Sequence, residues 1–176
     1  MDAETLSECW GVSLQRAEVW ADVLTDAMNE FSINTPLRQA AFIAQIGHES
    51  GCGRYSSEIW GPTSAQSRYE GRHDLGNTEP GDGFRFKGRG LIQTTGRANY
   101  QSTGDALGVD LIGDPVQLAQ PELAARSAAW FWQDRGLNEL ADTEDFRRIT
   151  LRINGGTNGI DERKRLYARA KEVLCV

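Results

Sequence analysis

The 176-residue chain reads as a mainly α fold, and three observations carry that reading. Apolar residues recur at helical spacing through most of its length. No region shows the sustained apolar–polar alternation of a half-buried strand, so any strands are short and lie within residues 51–90. The periodic segments also begin and end at capping residues, prolines and glycines, where helix boundaries are favoured.

Residues 13–31 place Leu14, Ala17, Val19, Trp20, Val23, Leu24, Ala27 and Phe31 at helical spacing behind a Ser13 cap, which predicts one amphipathic helix. Thr35-Pro36 opens the next, a cap residue followed by proline at the first helical position. Leu37, Ala40, Ala41, Ala44 and His48 share one face of it, and Gly51 and Gly53 end it. The small side chains on that face imply close packing against another helix, so this helix is buried and delivers Glu49 at its C-terminal edge.

Residues 51–88 break the pattern with many glycines and with Pro62 and Pro80, and only Ser64 to Tyr69 reads as a turn or two of helix. A long segment of this kind is usually functional or disordered. Its aromatic and charged residues point to an ordered small lobe or flap, residues 54–85, over a cleft, with Gly76 to Gly83 as its flexible part. Further helices are predicted for Ala98 to Leu107 before Gly108, from Pro121 until Gly136, for Glu144 to Ile153 behind Asp142 or Thr143, and for Ile160 to Leu174, with a short turn at Asp114-Pro115. The length suits one domain, residues 1–176, with a proper core.

A net charge of −6 and no basic run argue against a nucleic-acid partner. The charge is uneven: residues 50–100 hold 7 basic and 5 acidic side chains, and they alone are net positive. A basic surface there would draw an anionic polymer, or serve as an ordinary solvated face. No window is apolar enough to span a membrane, and the acidic start Met1-Asp2-Ala3-Glu4-Thr5 does not read as a signal peptide. Synthesis in a cytoplasm is therefore expected, with no stable membrane association. Cys9, Cys52 and Cys175 are odd in number and widely spaced, so reduced thiols are expected instead of disulfides or a zinc site.

The most informative stretch runs from Phe86 to Tyr100, Phe-Lys-Gly-Arg-Gly-Leu-Ile-Gln-Thr-Thr-Gly-Arg-Ala-Asn-Tyr. Glycines on both sides of Arg89 let the backbone turn tightly or lie against a ligand. Gln93, Thr95 and Asn99 can each donate and accept hydrogen bonds, which suits a ligand made of hydroxyls and amides, a sugar. No Gly-Lys-Ser/Thr follows, so this is not a phosphate loop. A carboxyl group beside such a wall is the minimum apparatus for cutting a glycosidic bond, and Glu49 is the candidate. The partial negative charge of a helix C-terminus and burial both favour the protonated form that a general acid needs. A bridge within a helix pair is the plain alternative.

Position 52 is Cys, so His48-Glu49 cannot complete a His-Glu-x-x-His metal site, and a thiol nucleophile after a helix end would lack stabilisation. His48 is expected to be a hydrogen-bonded core residue that orients the Glu49 loop. For the second carboxylate, Glu58, beside Ile59-Trp60, is preferred over Glu70, Asp74, Glu79 and Asp82. Trp60 and Tyr69 are candidates to stack on a sugar face, Arg89 is counted with the binding wall, and Trp130-Phe131-Trp132 reads as core. Asn154-Gly155-Gly156 offers an amide beside permissive backbone, or only a helix cap.

Four blocks, Ala41 to Ser50, Phe86 to Tyr100, Ser127 to Trp132 and Ile153 to Gly156, together resemble glycoside hydrolase family 19, the chitinases of plants and bacteria and related bacteriophage endolysins. The resemblance implies a lysozyme-like fold of two mainly helical lobes flanking a sugar groove. It implies Glu49 as general acid, Thr95 as a holder of the attacking water, and Gln93, Asn99, Tyr100 and Asn154 as sugar contacts. It also implies that Arg163 belongs to the charge network behind the acids, that the mechanism is inverting, and that no metal or cofactor takes part. Plant members carry their second acid in a cysteine-stapled loop that this chain lacks. Members of the endolysin branch carry it nine residues after the first, at Glu58 here.

These features predict a monomeric endolysin that cuts β-1,4 bonds of peptidoglycan and so lyses its host. It would be made in the host cytoplasm and reach the wall in the periplasm through a lesion made by another protein. A chitinase, a wall peptidase or amidase, and a wall-binding protein without catalysis stay open.

Overall fold

A computed structural model describes residues 1–176, and the chain is mainly helical. The elements are α1 (Ala3–Trp10), α2 (Leu14–Glu18), α3 (Ala21–Glu30), α4 (Pro36–Ser50), α5 (Ser64–Ser67), α6 (Asp82–Arg85), α7 (Arg97–Leu107), α8 (Pro121–Asp134), α9 (Leu137–Asp142), α10 (Phe146–Asn154) and α11 (Ile160–Val173). Single 3₁₀ turns occupy His73–Leu75 and Pro115–Ala119.

The centre is α4. The Thr35 hydroxyl accepts from the Arg38 amide, Pro36 occupies the first turn, and Gly51 closes the helix in the left-handed conformation at φ +60°. Nine of its residues are buried, from Ala40 to Ser50, and α11 packs along it most extensively. Gly47 makes room for the Trp10 indole, whose N–H donates to the Ile43 carbonyl. A thirty-residue apolar core joins α1, α3, α4, α8, α9, α10 and α11, with Trp132 against Phe42 edge to face at 5.4 Å. A separate four-residue core of Phe86, Tyr100, Leu111 and Leu118 lies beneath the Gly-rich stretch.

Residues 13–31 are two helices, not one. The chain breaks at Val19–Trp20, where the Trp20 indole donates to the Gly53 carbonyl across the fold. Tertiary pairing of one indole outweighs continuous helical periodicity here. α1 and α9, at eight and six residues, add elements that short apolar runs do not announce. Asp145, not Asp142 or Thr143, caps α10 by accepting from the Arg148 amide.

Residues 51–96 are irregular but tied down. Asp82, 1% exposed, accepts from the Thr78 and Glu79 amides and takes the Arg97 guanidinium at 2.6 and 2.8 Å. Asn77 donates to the Tyr69 carbonyl and accepts from the Arg97 amide, and Glu70 accepts from the Gly81 and Gly83 amides. The stretch Gly76 to Gly83, expected to be flexible, is thus the most densely hydrogen-bonded part of the lobe. Two isolated antiparallel bridges, Ser57 with Arg89 and Arg89 with Thr94, are its β structure.

Candidate active site

Those bridges fix Glu58 to the Gly-rich stretch. The Glu58 amide donates to the Gly88 carbonyl at 2.8 Å and the Gly90 amide to the Ser56 carbonyl at 2.9 Å. The Glu58 carboxylate is held from two sides: Oε1 accepts from the Gln66 amide group at 3.0 Å and Oε2 from the Gly88 N–H at 3.1 Å. Gln66 is itself held, because it completes a capping box with Thr63 at the start of α5. Lys87 donates to the Glu58 carbonyl at 2.8 Å, and its amine is held below the ordinary range by burial and then by the neighbouring Arg89 cation. Burial and then the Glu58 carboxylate push the Tyr69 phenol up, so a neutral hydroxyl stands near this acid.

Gly88 is the meeting point of three of the predicted residues, Glu58, Gln93 and Thr95. A Cβ there would stand 2.8 Å from Gln93 Oε1 and 3.4 Å from both Glu58 Oε2 and Thr95 Oγ1. The Glu58 and Thr95 oxygens are therefore within about 7 Å of each other, around backbone that carries no side chain. Gln93 sits at φ +55°, a conformation that costs a non-glycine residue strain and is concentrated at functional sites. Its backbone carbonyl accepts from the Thr95 hydroxyl at 2.9 Å, and the Thr95 carbonyl accepts from the Asn99 amide group at 2.7 Å.

Glu49, 21% exposed, occupies the last turn of α4, where Arg163 of α11 donates to Oε1 at 2.5 Å. Arg163 is 2% exposed and also donates to Gln45, while its Nε donates to the Asn158 carbonyl at 3.2 Å. Gln45 in turn donates to Thr150 at 2.8 Å, so three helices fix this guanidinium. The structure keeps Glu49 at the helix end, partly exposed and not fully buried, with the expected Arg163 guanidinium against its carboxylate.

A cleft of about 320 Å³ runs beside the Gly-rich stretch. Gln93, Thr95 and Asn99 form one wall, Trp130 and Phe131 of α8 the other, and Ile153 and Leu75 close it. Neither Glu49 nor Glu58 lines this hollow; Gln93 and Thr95 link it to the Glu58 cluster. No three His, Cys, Asp or Glu side chains are grouped as metal ligands would be.

The profile of the chitinase class I family matches residues 32–139, which span α4, the irregular lobe and α8. A glycosyl hydrolase family 19 domain-containing protein of Haemophilus influenzae is 36% identical over 160 residues, covering 74% of this chain and 77% of that protein. The chain belongs to glycoside hydrolase family 19. An Arabidopsis thaliana endochitinase is 38% identical over 118 residues, which is 66% of this chain but only 39% of the plant protein. Chitinase C of Streptomyces griseus superposes with a TM-score of 0.81 at 22% identity, over 99% of this chain and 76% of that one, which places this family 19 domain in the lysozyme-like fold.

Several predicted residues of this family 19 hydrolase stand elsewhere than expected. Tyr100, expected to touch sugar, is fully buried: its hydroxyl donates to the Lys87 carbonyl at 2.6 Å and accepts from Arg89 at 2.9 Å, and burial pushes its pKa up to about 12. Arg89, 5% exposed, does not line the cleft; its Nη1 is bound to the Arg85 carbonyl and Tyr100. Trp60 stands in the lobe at 6.2 Å from the Tyr69 ring and 5.3 Å from Phe84, outside the cleft. His48 is not a hydrogen-bonded core residue: it is packed on Gly159 with Nδ1 2.8 Å from a Glu162 oxygen, at an angle that makes no hydrogen bond. Asn154 turns its amide onto the Gly156 N–H and the Asn158 carbonyl, the turn that also receives Arg163. It therefore braces the Glu49 counter-ion from behind.

Trp130 and Phe131 are the residues that sequence reasoning assigned to the core and the cleft claims. Trp132, 1% exposed, is core as expected. Three consecutive helical residues spread about 100° apart and cannot all face inward, which was the available signal. Arg135 covers the Phe131 ring at 4.7 Å and continues that wall. Gly88→Ala is expected to push Gln93 and Glu58 apart and to lower kcat at least tenfold, with the melting temperature changing little because Gly88 has an ordinary φ. Steady-state kinetics beside thermal melting of the same variant checks this.

Proposed function

We propose that this family 19 glycosidase hydrolyses β-1,4 bonds of peptidoglycan by an inverting, two-carboxylate mechanism, as an endolysin does. The convergence of Glu58, Thr95 and Gln93 on Gly88 carries the reading, because it offers a seat for one water between a carboxylate base and a hydroxyl. Glu49 would protonate the leaving oxygen, with Arg163 orienting it and stabilising the carboxylate left after transfer. Glu58, anchored through Oε1 on Gln66, would keep Oε2 directed toward that water and accept its proton. The uncharged groups of Gln93, Thr95 and Asn99 suit N-acetylated sugars, and Trp130 and Phe131 offer faces for the ring.

The preference for wall polymer over chitin is supported by the net-positive segment 50–100, which would attract the anionic peptides of peptidoglycan. The three cysteines are free thiols, and burial pushes Cys9 up to about 11, so it stays a thiol at neutral pH. Such a chain needs no oxidising compartment to fold. No helix is long and apolar enough to cross a membrane, which is compatible with release to the wall through another protein's lesion. Purified peptidoglycan and colloidal chitin, each digested and examined by mass spectrometry, test the reading. New reducing ends from peptidoglycan at a higher rate than from chitin are expected; new amino termini, or chitin cleavage alone, would overturn it.

A further inference from the structure

Asp82, Arg89 and Arg163 are the three charged side chains that are more than nine-tenths buried. Asp82 is paired with Arg97, and Arg163 with Glu49. Arg89 has no carboxylate partner at all. Its Nη1 is committed to two neutral oxygens, the Arg85 carbonyl at 2.8 Å and the Tyr100 hydroxyl at 2.9 Å. A guanidinium carries five N–H donors. Those on Nε and Nη2 make no hydrogen bond to protein, and neither nitrogen is sealed from solvent. Burying a cation without a partner is costly, so a chain that keeps one has a reason to supply the anion from outside.

Arg89 lines a second hollow, of about 510 Å³, that shares no residue with the cleft beside Gln93. Its walls are α6 with Pro80 and Gly81 on one side and the turn from Gly113 to Val116 on the other. Arg85 joins the walls by donating to the Ile112 carbonyl at 2.7 Å and the Gly113 carbonyl at 3.2 Å, and it adds a second cation. Phe84 and Val116, 55% and 57% exposed, supply apolar surface at the opening. Asp114 is the one carboxylate in the lining, and its Oδ1 is engaged with the Val116 amide at 3.3 Å. Phe84 also touches Trp60, which touches Tyr69 beside Glu58, so an aromatic path runs from the reactive carboxylate to this hollow.

We propose that this second hollow binds the free carboxylate of a short peptide of the wall polymer, next to the methyl groups of the preceding lactyl and alanyl residues, through Arg89 and Arg85. Arg89 supplies two parallel N–H donors for a bidentate grip, and Phe84 and Val116 cover the methyl groups. The inference rests on the peptidoglycan reading and adds to it a means of telling an acidic glycan strand from neutral chitin.

The test is ¹⁵N NMR of the full chain, following arginine Nε–H and backbone amide signals during titration with N-acetylmuramyl dipeptide, with the same compound amidated at its one carboxylate, and with acetate. The free acid is expected to shift Arg89 and the Gly113 to Val116 amides and to bind about tenfold or more tighter than the amidated form or acetate. Val116→Glu, which sets a carboxylate at the exposed rim, is expected to weaken the free acid's binding about tenfold. Equal binding of acid and amide, an acetate response as strong as the dipeptide's, shifts confined to the Gln93 cleft, or no shift would overturn the inference. Wall cleavage without shifts in the hollow sinks this inference alone. Shifts in the hollow without wall cleavage sink the peptidoglycan reading alone.

Discussion

Glu49→Gln is expected to lower kcat by about 10²- to 10⁴-fold with little change in KM, since a general acid contributes that much and acts only in the transition state. The amide oxygen of glutamine can still accept from Arg163, so the buried guanidinium keeps a partner and the melting temperature should fall little. The separation of the two effects is the point. A variant that lost activity by unfolding would show both losses together, and one that kept full activity would remove Glu49 from the chemistry. Circular dichroism melting beside single-substrate kinetics distinguishes the three outcomes.

The largest effect on stability is expected at Asp82→Ala. The carboxylate is 1% exposed and accepts from two backbone amides and from the Arg97 guanidinium, so its removal leaves several donors unpaired. Breaking a buried ion pair in this way costs about 3–5 kcal/mol, although Arg97 at 29% exposed can recover some hydration. The pair also carries a pH dependence. The Arg97 hydrogen bonds hold the Asp82 carboxyl below its ordinary range. Its stabilisation is thus fully present above about pH 4, the unfolded value, and is lost as pH falls through the lower folded value. Chemical denaturation between pH 6 and pH 3 should show the wild type losing this increment, and Asp82→Asn should lack it. An identical acid profile in both would contradict the assignment.

Much of this fold was legible in the chain because its signals are local. Thr35-Pro36 and Gly51 bound α4 where cap chemistry puts them, and Gly108 ends α7. The elements that escaped are set by distant partners. Trp20 breaks the helix over residues 13–31 because its indole seeks Gly53, and α9 is six residues held by the core it enters. The site divides in the same way. Residue types and spacing announce Glu49, Glu58, Gln93, Thr95 and Asn99, whose polar groups do gather by Gly88 or along the cleft, apart from Glu49 on its own arginine.

Tyr100 and Arg89 could not be placed from sequence, because their partners are largely main-chain carbonyls, which every sequence possesses. Arg163 was tied to the acids by likeness to relatives, and the structure gives the physical account: its donors reach Gln45, Glu49 and Asn158 at once.

Glu58 is proposed to deliver water from the face opposite Glu49, and the anomeric form of the first product reports that directly. Proton NMR of N-acetylglucosamine tetrasaccharide hydrolysis, read before mutarotation, should show the new reducing end as the α anomer, and Glu58→Gln should suppress its formation about 10²-fold or more. A β anomer at first turnover, or an undiminished rate in Glu58→Gln, would contradict the mechanism proposed for these two carboxylates.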